Sequence, residues 1–98
     1  MTASADDLDP VIHPAHRLRI CAMLHAAQEV EFAAVQAHLG ISASVLSKQL
    51  AYLSEAGYIA QRRVRTGSRY RVWLRMTRSG REAYRRHHAA LVAIVDGG

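Results

Sequence analysis

The sequence predicts a mainly α domain with a small β-hairpin, an α+β fold in the order α-α-α-β-β-α. Three observations carry that expectation. Ser42 to Gly57 (SASVLSKQLAYLSEAG) has the spacing of a helix with one apolar stripe. A short helical run, Phe32 to Leu39, ends only two residues earlier, at the break made by Gly40 and Ile41. Beyond Gly57 the apolar period changes from 3.6 to 2, as a pair of strands requires.

Taken in order, Met1 to Pro10 is acidic and aperiodic and is expected to be a flexible tail. From about Pro14 to Ala26, AHRLRICAMLHA is a strong helix former whose apolar residues cover more than one face, which implies a central helix. Glu29 to Glu31 is expected to be a very short strand or an extended link. The Phe32–Leu39 helix buries Phe32, Val35 and Leu39 by its spacing. Ser42 can then cap the next helix while Ile41 staples onto Leu46, and Gly57 ends it.

At 100° per residue, Leu46, Leu50 and Leu53 fall on one side of that helix. Ser44, Lys48, Ala51 and Glu55 fall opposite, with Ser47 beside them. Such a low, small face fits a groove about 12 Å wide, and equally an ordinary solvated surface.

After Gly57, Tyr58 to Val64 and Arg69 to Met76 read as strands joined at Arg65-Thr66-Gly67-Ser68. In the second strand Tyr70, Val72, Leu74 and Met76 suit the core. Arg69, Arg71, Trp73 and Arg75 make the other face basic, with Trp73 read as a rim residue. Thr77 can cap a last helix running toward Val95, where Tyr84, His87 or His88, Leu91 and Ile94 or Val95 recur at helical spacing. Gly80 weakens its first turn.

The chain has 98 residues, room for a single modest core, with a net charge of +5 and a pI of about 10.1. Lys48 is the only lysine, so the positive charge is almost all arginine, the residue suited to phosphate and guanine. An acidic partner follows, nucleic acid before an anionic membrane surface. Cys21 is the only cysteine, and no signal-peptide or membrane-spanning run occurs, so a cytoplasmic setting is expected. With no nucleophile elbow, phosphate-binding glycine loop or convergent acid–base pair, the chain is not expected to be an enzyme.

The order of elements, with the segments HRLRICAMLH, EFAAVQAHLGIS, SVLSKQLAYLSEAGYI and YRVWLRMTRSGREAY, resembles the winged helix-turn-helix transcriptional regulators over roughly residues 14–84. The S-x-L-S-K-x-L-x-x-L-x-x-A-G-Y-I spacing from Ser44 to Ile59 is most similar to small stand-alone members related to the MarR and ArsR families. The resemblance implies double-stranded DNA as partner and a homodimer on a palindromic operator. It also implies a recognition helix in each of two major grooves about 34 Å apart, and a wing on backbone or minor groove. Carried over by position, Ser44, Ser47 and Lys48 face DNA, Val45 reaches a thymine methyl, and Gln49 and Tyr52 lie at the margins. Arg65 and Arg69 match the wing, and the basic run adds Arg62, Arg63 and Arg71.

Residues 11–76 are thus expected to form the DNA-binding domain and 77–96 the dimerisation helix, with Tyr84, His87, His88, Leu91, Ile94 and Val95 at the seam. Neither a Cys-x-Cys pair nor the extra helices of larger MarR-type proteins is evident, which leaves any effector unknown. No cofactor is expected: the six histidines lack H-E-x-x-H spacing and accompanying thiolates. Two other readings remain open on the same fold. One is a protein- or RNA-interaction module; the other is a metal- or thiol-responsive regulator using Cys21 and the terminal histidines.

Overall fold

The computed structural model describes residues 7–97. Four helices and three strands follow in the order α1 (Ala15–His25), β1 (Val30–Glu31), α2 (Phe32–Leu39), α3 (Ala43–Glu55), β2 (Ile59–Thr66), β3 (Arg69–Met76) and α4 (Arg78–Val95). The sheet is antiparallel with strand order β1-β3-β2. The expected hairpin therefore gains a third strand, because Val30 and Glu31 pair with Leu74 and Trp73.

The core is built where the periodicities predict. Ile20, Cys21 and Leu24 of α1 meet Val35 and Leu39 of α2, the three leucines of α3, and Leu74 and Met76 of β3. Gly40 ends α2 at φ +65°, a left-handed position that glycine takes without a Cβ penalty. Two residues later the Ser42 hydroxyl accepts from the Val45 N–H at 3.1 Å and starts α3.

A Schellman motif closes α3. The Tyr58 N–H donates to the Leu53 carbonyl and the Gly57 N–H to the Ser54 carbonyl, both at 2.9 Å, with Gly57 at φ +78°. The chain then enters β2 directly. That strand runs two residues further than expected, to Thr66, and Gly67-Ser68 is the whole turn, with Gly67 at φ +64°.

The cap of α4 is tied to the end of α3. Thr77 Oγ1 accepts from the Gly80 N–H at 3.0 Å and donates to the Gly57 carbonyl at 2.6 Å, while the Thr77 N–H donates to the Tyr58 carbonyl at 3.0 Å. Arg81 then reaches back across the fold and caps α1, donating to the carbonyls of His25 and Ala27 at 3.1 and 3.0 Å. This arginine serves the fold.

Two expectations are corrected here. The flexible acidic tail over residues 1–10 does not hold for its final part; Met1 to Asp6 lie outside the described residues. Asp9 Oδ1 accepts from the N–H groups of Val11 (2.8 Å) and Ile12 (3.4 Å), and Oδ2 accepts from the Tyr58 hydroxyl at 2.6 Å. Ile12 is completely buried beneath this turn. Asp9 is thus the hub of a strap laid across the domain.

The second correction is His87. Helical spacing places it at a subunit seam, yet it is 0% exposed within the single chain. Its Nδ1 accepts from the Asp9 N–H at 2.9 Å, and its Nε2 lies 3.3 Å from His13 Nδ1. Burial, followed by the neighbouring His13, lowers its pKa below the ordinary imidazole value.

Candidate nucleic-acid interface

The geometry of α3 divides its residues as the leucine stripe requires. Leu46, Leu50 and Leu53 are buried, whereas Ser44, Ser47, Lys48 and Ala51 are exposed along the opposite side. Val45 and Tyr52 are also exposed, and Gln49 is half-buried on their flank. Short side chains at 44, 47 and 51 keep this face low, and Lys48 is its one cation.

The wing is less uniform than its arginine count implies. Cross-strand partners share a face of the sheet, so the register places Arg62 with Trp73 on one side and Arg63 with Val72 and Arg65 with Tyr70 on the other. The five expected wing arginines therefore do not form one basic surface. Arg62 is held by Glu29 in a two-point contact at 2.9 and 3.1 Å, and Arg71 lies 3.7 Å from Glu31. The Arg62 hydrogen bond draws the Glu29 pKa below the usual carboxylate range. Two acids ahead of α2 thus pair with Arg62 and Arg71 on one face of the wing.

Toward the tip the arrangement changes. The Arg63 guanidinium lies over the Tyr70 ring, 4.5 Å from its centroid, and that of Arg65 is 5.9 Å away. Arg65 Nε also donates to the Gly67 carbonyl at 3.2 Å, which holds its side chain along the turn. Tyr70, expected in the core, is 55% exposed, because β3 has run past the helices at that point. Exposed Arg69 stands beside the same turn on the opposite face of the sheet, with Arg71, so the tip is cationic on both faces.

This arrangement of four helices and an antiparallel hairpin matches known proteins. A family model for the winged helix DNA-binding domain matches residues 16–95. The chain belongs to that family. No curated protein matches it. Among solved structures, a transcriptional regulator homologue from Pyrococcus horikoshii is similar, with a TM-score of 0.82 at 24% identity, over 89% of this chain and 86% of that one. ZitR of Lactococcus lactis, a zinc-responsive MarR family member, gives a TM-score of 0.67 at 20% identity, over 99% of this chain and 66% of that one. FabT of Streptococcus pneumoniae, solved in complex with DNA, gives 0.58 at 27% identity, over 86% and 59%.

In the winged helix frame, α2 and α3 are the helix-turn-helix and β2–β3 the wing. The resemblance to small winged helix-turn-helix regulators and the α+β fold expected from sequence are both shown by these matches. The structure brings Ser44, Ser47 and Lys48 together on α3, places Arg63 and Arg65 on one face of the wing, and leaves Arg69 at the turn on the other face. Arg62 and Arg71 are set apart by their ion pairs.

Of the expected seam residues, His88 is exposed and Tyr84 is half-buried between the rings of His25 and His88, at centroid distances of 4.9 and 6.2 Å. Leu91 is half-buried, while Ile94 and Val95 are 37% and 74% exposed. Among the described residues, no three His, Cys, Asp or Glu side chains are grouped as metal ligands, and no helix is long and apolar enough to cross a membrane.

Sequence reasoning missed two features of this region. Arg17 of α1 donates from Nη1 to Gln49 Oε1 at 3.0 Å, and its guanidinium lies 4.3 Å from the centroid of the Tyr52 ring. Nothing in the linear sequence marks that pairing. Asp9-Pro10 did carry a signal, since an Asp-Pro dipeptide followed by two apolar residues is turn chemistry leading into buried chain.

Proposed function

We propose that this winged helix protein is a homodimeric transcriptional repressor that reads a palindromic operator in the cytoplasm. The observation that carries the reading is the exposed α3 face of Ser44, Ser47 and Lys48, set opposite three buried leucines and accompanied by the cationic wing tip. Base contacts are assigned to Ser44, Ser47 and Lys48, with Val45, Gln49 and Tyr52 at the margin. Backbone contacts are assigned to Arg63, Arg65 and Arg69.

For the second subunit, the support is the end of α4. Val92, Ile94 and Val95 are 43%, 37% and 74% exposed, and Leu91 is half-buried beside them. A second copy would cover this apolar end. His87 is withdrawn from the seam. A thiol-responsive reading loses support too, because Cys21 is fully buried and burial pushes its thiol up to about 12.

Selection of bound duplexes from random DNA at stated salt tests the proposal. An enriched inverted repeat, with a changed motif for Lys48→Ala, is the expected result. Failure to enrich any motif would favour the protein- or RNA-interaction reading. Sedimentation of the wild type against Val92→Asp/Val95→Asp tests the dimer, which the double substitution is expected to dissociate.

A further inference from the structure

Arg17 is fixed from three directions. Its Nε donates to the Val11 carbonyl at 2.6 Å, its Nη1 donates to Gln49 Oε1 at 3.0 Å, and its planar face lies on Tyr52. An arginine engaged through both its edge and its face cannot rotate without breaking all three interactions. The residue is half-buried, and it joins α1 and the N-terminal strap to the flank of α3.

The consequence falls on Gln49. A carboxamide has an acceptor end and a donor end of nearly the same shape, and its surroundings decide which way it turns. Arginine has N–H donors and no acceptor, so the end facing Arg17 must be the oxygen. The NH2 end is then directed away from Arg17. An unrestrained glutamine reads adenine with both ends, accepting from N6 and donating to N7. One whose oxygen is already engaged offers mainly donors, which match guanine O6 and N7, thymine O4 or adenine N7.

We infer that Arg17 is a positioning residue for base choice: it holds the Gln49 carboxamide with its donor end outward, so that Gln49 reads a hydrogen-bond acceptor on a base edge. This inference rests on the reading of α3 as the recognition helix. Arg17 acts through Gln49, and Tyr52 is the platform that keeps the guanidinium in plane.

The test is selection from random duplex DNA with the full chain as wild type, Gln49→Ala, Arg17→Met, the double variant and Gln49→Glu. Gln49→Ala identifies the base position that Gln49 reads. Arg17→Met, which keeps an apolar stem, is expected to change preference at that same position by about tenfold, in favour of adenine, and to leave the others alone. The double variant should match Gln49→Ala there. Gln49→Glu keeps an acceptor for Arg17 and has no donor, so its preference for a base acceptor should be abolished.

Several outcomes overturn the assignment. One is a uniform loss of binding in Arg17→Met with a flatter salt dependence, which would make Arg17 a phosphate contact. Another is a change at a position that Gln49→Ala does not affect, or no change at all. Should Arg17→Met fail to fold, retention of the wild-type preference in Gln49→Glu is decisive against it. A wild type that enriches no motif removes sequence-specific recognition itself, and this assignment with it.

Discussion

The backbone N–H of Asp9 donates to Nδ1 of His87, 78 residues later in the chain, at 2.9 Å. Because that nitrogen accepts, it must be unprotonated. Burial first, then His13 and His88, lowers the His87 pKa, and Asp9 pulls the other way. A histidine whose folded pKa lies below its unfolded value of about 6.5 gives stability that is complete above that pH. The contribution is lost as the pH falls through the folded value, since the unfolded chain then binds the extra proton. Denaturant midpoints should therefore fall as the pH drops below about 6.5, and His87→Gln should flatten that slope. An undiminished slope in the variant would assign the effect to other histidines.

The same strap makes a second, optical prediction. The Tyr58 hydroxyl donates to Asp9 Oδ2 at 2.6 Å, and its pKa is pushed up to about 12, first by that hydrogen bond and then by burial. In Asp9→Ala the phenol should titrate closer to its ordinary value of about 10, as followed by ultraviolet absorbance. Removing an acceptor that serves Tyr58, Val11 and Ile12 should also cost about 1–3 kcal/mol of unfolding free energy. A Tyr58 titration unchanged by Asp9→Ala would mean that the strap is not docked in solution.

Gly80 supplies a prediction opposite in sign to helix propensity. In an exposed helix interior, Gly→Ala stabilises by roughly 1 kcal/mol. At Gly80, however, an added Cβ would collide with the Tyr58 carbonyl oxygen, and would lie 2.8 and 2.9 Å from the Tyr58 carbonyl carbon and Cα. Those are backbone atoms, and the carbonyl oxygen also receives the Thr77 N–H, so relief requires α4 to move away from the end of α3. Gly80→Ala should lower stability by about 1–3 kcal/mol, measured by thermal or urea unfolding. A stabilised variant would show that the crossing is looser than this geometry.

What the sequence disclosed and what it hid follow from the range of the interactions. The leucine stripe of α3, the Ser42 cap, the Gly57 stop and the Thr77 cap are local signals, and each is found where its spacing places it. The α3 face carrying Ser44, Ser47 and Lys48 is legible for the same reason. Gly80 reads as a weak first turn, because its close neighbour Tyr58 belongs to another part of the fold. The pairing of Glu29 with Arg62 spans 33 residues, that of Arg17 with Gln49 spans 32, and that of Asp9 with His87 spans 78. No periodicity encodes such pairings. Tyr70 shows the limit of alternation itself: period 2 assigns a residue to a face of the strand but not to the stretch of strand that the helices cover.

The ion pairs on one face of the wing lead to a last prediction, about salt. Removing one phosphate contact should reduce the slope of log K against log salt by about 0.9. Arg65, at the tip beside Tyr70, should show that full reduction when replaced by alanine, with similar weakening for every sequence. Arg62 should not, because Glu29 holds it at two points and cancels its charge locally. Glu29→Gln then becomes the informative variant. It releases Arg62 without removing it, so nonspecific binding should tighten and the slope should steepen. The pair itself is exposed and contributes little to stability, so folding should be almost unaffected. Equal reductions in slope for Arg62→Ala and Arg65→Ala would mean that the Glu29 pair opens on binding and that the base of the wing grips the backbone along with its tip.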